Sequence, residues 1–162
     1  MTSLGSLSAR SLLAGVAAGA AGTTALNAVT YLDMALRGRP ASSAPDDTVD
    51  KLSELAGVPV PGDKETRANR VAGLGPLTGL LAGVGTAAML GALRSAGLRP
   101  GLAASSLAAA AGAMIASTAP MTALGITDPR TWTAQAWASD VIPHLAYGAV
   151  TAAVLQHLDS PP

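Results

Sequence analysis

Cysteine and phenylalanine are absent from the 162 residues, two Trp and two Tyr are the whole aromatic complement, and charged side chains make up 12% of the chain. Each shortage excludes something. Without Cys there is no disulfide and no thiolate metal site. Ten basic residues against ten acidic ones leave no net charge, so the electropositive footprint of a nucleic-acid binder is missing. The scarcity of charge says most. Soluble domains carry about 25%, and here thirteen of the twenty charged residues crowd between Asp33 and Arg70. Six are left for the 92 residues from Val71 to Pro162, too few to clothe a helical domain in water.

Long apolar runs fill the space that charge leaves. A hydrocarbon core of about 30 Å takes roughly 20 helical residues, and the uncharged stretches Ser11 to Leu32, Val71 to Leu93 and Pro100 to Thr127 all reach that length. A fourth, Thr131 to Leu155, contains Asp140 and His144. A central Asp costs about 3 kcal/mol on insertion, so neighbouring spans must help it into the bilayer. The runs are rich in Ala and Gly, which makes a soluble Ala-rich bundle the alternative. Such a bundle needs a polar face recurring every 3.6 residues, and Leu102 to Ile126 offers only Ser, Thr and Gly to make one. Arg10 followed by an apolar run and Ala18-Gly19-Ala20 also has the form of a secretory signal. Continuation of that run through Ala25, Leu26, Val29 and Leu32 favours an uncleaved first span. The expected fold is all-α: one integral membrane domain over residues 1–162, a bundle of four transmembrane helices at about 11–36, 71–95, 100–124 and 131–156.

Punctuation fits these spans. Asp33 and Arg37 form a helical i,i+4 pair before Gly38-Arg39-Pro40 stops the first helix. Pro76 is expected in an early turn of the second span, where its missing N–H costs little. Gly97 and Pro100 divide the second span from the third, and Thr127-Asp128-Pro129 reads as a cap and first-turn proline launching the fourth. The longer loop, about 38–66, holds Val49, Leu52 and Leu55 or Ala56 at helical spacing. These predict a short amphipathic helix capped by Asp46 or Asp47 and ended by Gly57, Pro59, Pro61 and Gly62. It either lies on the membrane surface, covers the mouth of the bundle or is a solvated connector. Counting Lys and Arg, seven fall on the side of that loop and three, Arg10, Arg94 and Arg99, on the other. The positive-inside rule then places both termini outside a cell membrane.

Apolar burial gives helices little reason to associate in lipid, so close backbone packing through small residues must hold the spans together. Gly75, Gly79, Gly83, Ala87 and Gly91 recur at fourfold spacing along the second span, with Gly15 and Gly19 in the first and Ala104, Ala108, Gly112 and Ala116 in the third. They read as a packing seam, facing either another helix of this chain or a second copy. Lining a ligand path or permitting the helices to bend is the functional alternative.

Chemistry concentrates on one stripe. Trp137, Asp140, His144, Tyr147 and Thr151 fall at offsets 0, 3, 7, 10 and 14 and share one helical face. Asp140 and His144 are expected near the middle of their span, where an ionisable residue should face the interior or a wet cavity with a named partner. Thr23, Asn27 and Thr30 or Tyr31 supply matching polarity on the first span. Pro143 leaves the Ser139 carbonyl without its helical donor. A satisfied buried network that fixes helix register is one reading of the stripe; a proton or ion relay and a small-molecule pocket are the others. No cofactor or metal is expected: His144 and His157 lie about 20 Å apart along one helix and cannot clasp one haem, and Asp140 with His144 falls short of a metal's three or four ligands. GxSxG, phosphate-loop and HExxH motifs are absent from the sequence. Gly73-x-Gly75 lacks the third glycine of a dinucleotide fingerprint, and Trp132 and Trp137 read as interface anchors.

Gly125-Ile126-Thr127-Asp128-Pro129, then Trp132 and Trp137, then Asp140 with His144 and Gly148 at successive four-residue steps, resembles the C-terminal part of the YagU-like inner-membrane proteins over roughly 30 of the 162 residues. The resemblance implies a small helical membrane protein with an acidic/His stripe and no defined reaction. Together these readings make the expected role structural or accessory rather than enzymatic, with the lipid bilayer and a homo-oligomer or larger membrane complex as partners. The alternative is a proton-linked carrier or channel using Asp140, His144, Tyr147, Thr151, Asn27 and Tyr31.

Overall fold

In lipid an uncharged segment can satisfy its backbone N–H and C=O groups internally only by becoming a helix or joining a closed barrel, and Ala- and Leu-rich runs take the first route. The computed structural model describes residues 9–159 and has five α-helices there: α1 (Ala9–Arg37), α2 (Ala44–Ala56), α3 (Lys64–Ser95), α4 (Leu102–Ala123) and α5 (Ala134–Asp159). A single 3₁₀ turn, Pro129–Thr131, precedes α5. Helices α1, α3, α4 and α5 are long and apolar enough to cross a membrane; α4, the shortest at 22 residues, extends roughly 33 Å at 1.5 Å per residue. The all-α bundle expected from the sequence is the fold observed.

Helix α1 packs against both α3 and α5, α4 closes the ring against α5 and more lightly against α3, and α2 leans on α3. The shorter connections 96–101 and 124–133 make α3, α4 and α5 sequential antiparallel neighbours, whereas α1 and α3 are joined through α2. The interior is built of small groups: Ala18, Ala87 and Ala109 are fully buried, and the largest fully buried side chains are Tyr147 and Thr151. Large apolar residues point outwards instead, with Leu13, Leu36, Leu81, Met89 and Ile115 all more than 60% exposed. That is the reverse of a water-soluble core, and with four apolar spans it gives the architecture of a multi-pass membrane protein.

Backbones approach closely where the small residues fall. A Cβ added at Gly15 would lie 2.6 Å from the Ala87 carbonyl oxygen and 2.7 Å from Ala88 Cα, and one at Gly19 2.8 Å from Val84 Cα. Gly91 faces Ser11 and Gly15, so α1 and α3 meet through the row Gly83, Ala87 and Gly91 within one chain. Gly112 meets Thr86 across the lighter α3–α4 contact at 3.0 Å, and Gly148 lies against Ser106 and Ala110 of α4. Position 79 departs from the expected seam: Gly79 is exposed, with open space where a Cβ would stand. A fourfold row turns about 40° per step round an α-helix, and no single neighbour follows it. Gly75 receives Asp46 of α2, Gly83 to Gly91 meet α1, and Gly79 falls between the two.

Several boundaries differ from expectation for one reason: the edge of a charge-free run marks the membrane, whereas caps mark the helix. Helix α3 starts at Lys64, seven residues before Val71, because the Asp63 side chain accepts the Thr66 N–H at 2.8 Å. Pro76 therefore lies well inside α3 rather than in its first turns. The amphipathic helix α2 is present, with Pro45 in its first turn, but its N-cap is Ser43, and Asp46 and Asp47 occupy the first turn instead. Gly57 closes it in the left-handed conformation at φ +64°. Asp128 and Pro129 launch the 3₁₀ turn rather than α5, whose start at Ala134 follows a hydrogen bond from the Ala136 N–H to Thr133 Oγ1. The Arg130 guanidinium beside Asp128 holds that carboxyl below the usual carboxylate range.

Candidate functional site: the polar stripe of α5

The α5 stripe turns progressively inward. Trp137 is 39% exposed, Asp140 is half-buried, His144 is 8% exposed, and Tyr147 and Thr151 are fully enclosed. Asp140 is the seventh of the 26 residues of α5, roughly 9 Å from its start. It lies one turn beyond Trp137 in α5, which begins and ends about three residues later than the expected span 131–156. Trp132 and Trp137 pack edge to face at 5.0 Å, and Trp132 Nε1 donates to Thr127 Oγ1 at 2.9 Å.

Tyr147 stands where all four spans meet. Its hydroxyl donates to the Gly83 carbonyl oxygen of α3 at 2.6 Å, and it clusters with Ala109 and Ala113 of α4, a cluster against which Leu26 of α1 packs. Two glycines make the slot: a Cβ at Gly22 would meet the Tyr147 ring at 2.8 Å, and one at Gly83 would stand 3.4 Å from it. Gly83 is in the expected seam; Gly22 was not singled out, although it continues a small-xxx-small row with Ala14 and Ala18 on the buried face of α1 that could have found it. Thr151 Oγ1 donates to the Ala18 carbonyl oxygen of α1 at 3.4 Å, a long bond.

Asp140 and His144 are less completely joined. His144 Nδ1 is 2.7 Å from the Asp140 backbone oxygen, an acceptor, so Nδ1 carries the proton in that bond. The Asp140 carboxylate oxygen Oδ1 lies 3.6 Å from the same nitrogen, beyond hydrogen-bond reach. Asp140 Oδ2 and Thr23 Oγ1 are buried without a hydrogen-bond partner among the described residues. Of the expected partners on α1, Thr23 turns inward and is 8% exposed, whereas Asn27 is exposed and Tyr31 is 62% exposed. The stripe thus gathers Asp140, His144, Tyr147 and Thr151, and Asn27 and Tyr31 stand apart from it. Among the described residues no three His, Cys, Asp or Glu side chains are grouped to hold a metal.

A second polar cluster joins α1 to α5. Asp33 pairs with Arg37 and, at 2.6 Å, with Arg39 Nε; Arg37 also donates to Ser139 Oγ at 2.5 Å. A cavity of about 150 Å³ lies beside it, walled by Val29, Ile142 and Pro143. The sequence signal was one acid with arginines at both i+4 and i+6; the reach to Ser139 had no signal, since it depends on how α1 and α5 are rotated. No protein-family model, curated protein or solved structure matches this chain.

Proposed function

We propose that this chain is a structural or accessory subunit of the cell membrane that packs with copies of itself or within a larger membrane complex, both termini facing outward. The observation that carries the reading is the Tyr147 hydroxyl donating to the Gly83 carbonyl: a fully enclosed polar group of the stripe bonds to the bundle's own backbone, as a register-fixing contact does. Broad outward apolar surface on α3 and α4, including Leu81, Met89, Leu107 and Ile115, is available to lipid and to partner helices alike. The likeness of the Gly125–Gly148 stretch to YagU-like membrane proteins belongs to the same proposal. Extraction in a mild detergent should yield a homo-oligomer or a stoichiometric complex, and Asp140→Asn should leave that assembly unchanged. A lone monomer on extraction contradicts the reading.

One feature favours a second reading as a proton-linked carrier or channel. The Asp140 Oδ2 atom is buried and without a partner, and a neighbouring imidazole stands one turn away. On that reading, vesicles containing the protein show pH-driven flux that Asp140→Asn abolishes. Absence of flux over a range of ions dismisses it.

A further inference from the structure

The segment after α2 is Val58-Pro59-Val60-Pro61, and it runs alongside the part of α3 that enters the membrane. Its backbone is unusually poor in free polar groups. Pro59 and Pro61 have no N–H; the Val58 N–H donates to the Ser53 carbonyl, and the Val58 carbonyl accepts from Ser53 Oγ at 2.7 Å. The Pro61 carbonyl is taken by Arg70 Nη1 at 2.6 Å. Irregular backbone is costly against hydrocarbon because its N–H and C=O groups go unsatisfied, and this segment has removed or paired most of them. Between it and α3 lies an open groove of about 560 Å³, its apolar walls including Val58, Pro61, Gly73, Leu74 and Leu77. That volume is within the roughly 300–1,000 Å³ of small-molecule sites.

Arg70 sits at the lip. It is the last charged residue before the run from Val71 to Leu93, which puts it at headgroup depth with Leu74 and Leu77 one and two turns further in. Nearby Arg67 is neutralised by Asp50 at 2.6 Å. Arg70 is paired with no carboxylate among the described residues, and one of its five N–H donors is spent on Pro61. The remaining donors suit the two oxygens of a phosphodiester. The geometry points to a site for a single glycerophospholipid, its phosphate held by Arg70 and one acyl chain laid in the groove between residues 58–61 and α3.

The test is native mass spectrometry of the full chain in detergent after a delipidating wash. The probes are phosphatidylglycerol, diacylglycerol with the same chains, and glycerol phosphate. One phosphatidylglycerol should be retained per chain, diacylglycerol about fivefold less, the loss of one interfacial Arg–phosphate contact, and glycerol phosphate not at all. Arg70→Gln should bring phosphatidylglycerol down to the diacylglycerol level, and Arg70→Lys should recover most of the difference. Gly73→Leu, whose side chain enters open space, should displace both lipids while the protein melts as the wild type does. Unchanged phosphatidylglycerol retention in Arg70→Gln, or multiple unsaturable lipids indifferent to Gly73→Leu, overturns the site and leaves only annular lipid.

Discussion

The Tyr147 hydroxyl makes a testable contribution, because it bridges α5 and α3 in the buried interior, where Gly83 leaves room for the ring. Tyr147→Phe keeps the ring and removes the bond. Buried interhelical hydrogen bonds in membranes are worth about 0.6 kcal/mol on average, so the variant should unfold from detergent micelles with a small loss of that order, and no loss would mean that the bond contributes nothing. Glycine positions allow a sharper contrast. Gly15→Ala sets a methyl against the Ala87 carbonyl and Ala88 Cα, and overpacking of this kind costs about 1–3 kcal/mol. Gly79→Ala meets nothing and gains helix propensity. The first should lower the midpoint of thermal unfolding and the second leave it unchanged or raise it; equal effects would contradict the α1–α3 contact described. Residue types and spacing made the Asp140–His144–Tyr147–Thr151 stripe legible in the sequence. The facing of Asn27 and Tyr31 was not legible, since each four-residue step from the inward Thr23 turns about 40° and the rotation of α1 against α5 has no local signature.

At the scale of elements, α3 shows why charge-free runs and helices differ. Its first two turns carry Lys64, Glu65, Arg67 and Arg70, residues that lipid excludes but a helix accepts, so the helix begins at its cap outside the membrane. Hydrogen bonds from Thr66, the backbone N–H foremost, hold the Asp63 carboxyl below the usual carboxylate range. A depressed pKa stabilises the capped state while the carboxylate is charged. That contribution is complete above the ordinary carboxylate pKa and is lost as pH falls through the lower, folded value. Acidification from about pH 5 to about pH 2 should therefore speed amide exchange at Thr66, once corrected for intrinsic rate. Asp63→Asn, a neutral cap, should remove the dependence, and a wild-type profile flat with pH contradicts the cap. The amphipathic pattern of α2 was legible from Val49, Leu52 and Leu55. Its cap was not, because Ser42, Ser43, Asp46 and Asp47 all have cap chemistry and Pro45 in the first turn decides among them.

For the whole molecule, the decisive feature is the distribution of size: alanine, glycine and one tyrosine make most of the interior with Leu155, while many large apolar side chains such as Leu13, Leu36, Leu81, Met89 and Ile115 face outward. That much followed from composition, because a chain with so little charge and so many small residues can pack helices closely but cannot cover them for water. The lack of native cysteine makes the account directly testable by single-cysteine labelling in intact membranes. Leu81, Ile115 and Leu145 are exposed on three different spans, and Ser53 lies on α2, outside the uncharged runs. With a water-soluble maleimide, Ser53→Cys should label from one side of the membrane. Leu81→Cys, Ile115→Cys and Leu145→Cys should stay unlabelled until the chain is denatured in detergent. Labelling of those three mid-helix cysteines at the Ser53→Cys rate before denaturation would mean that the four helices do not lie in lipid.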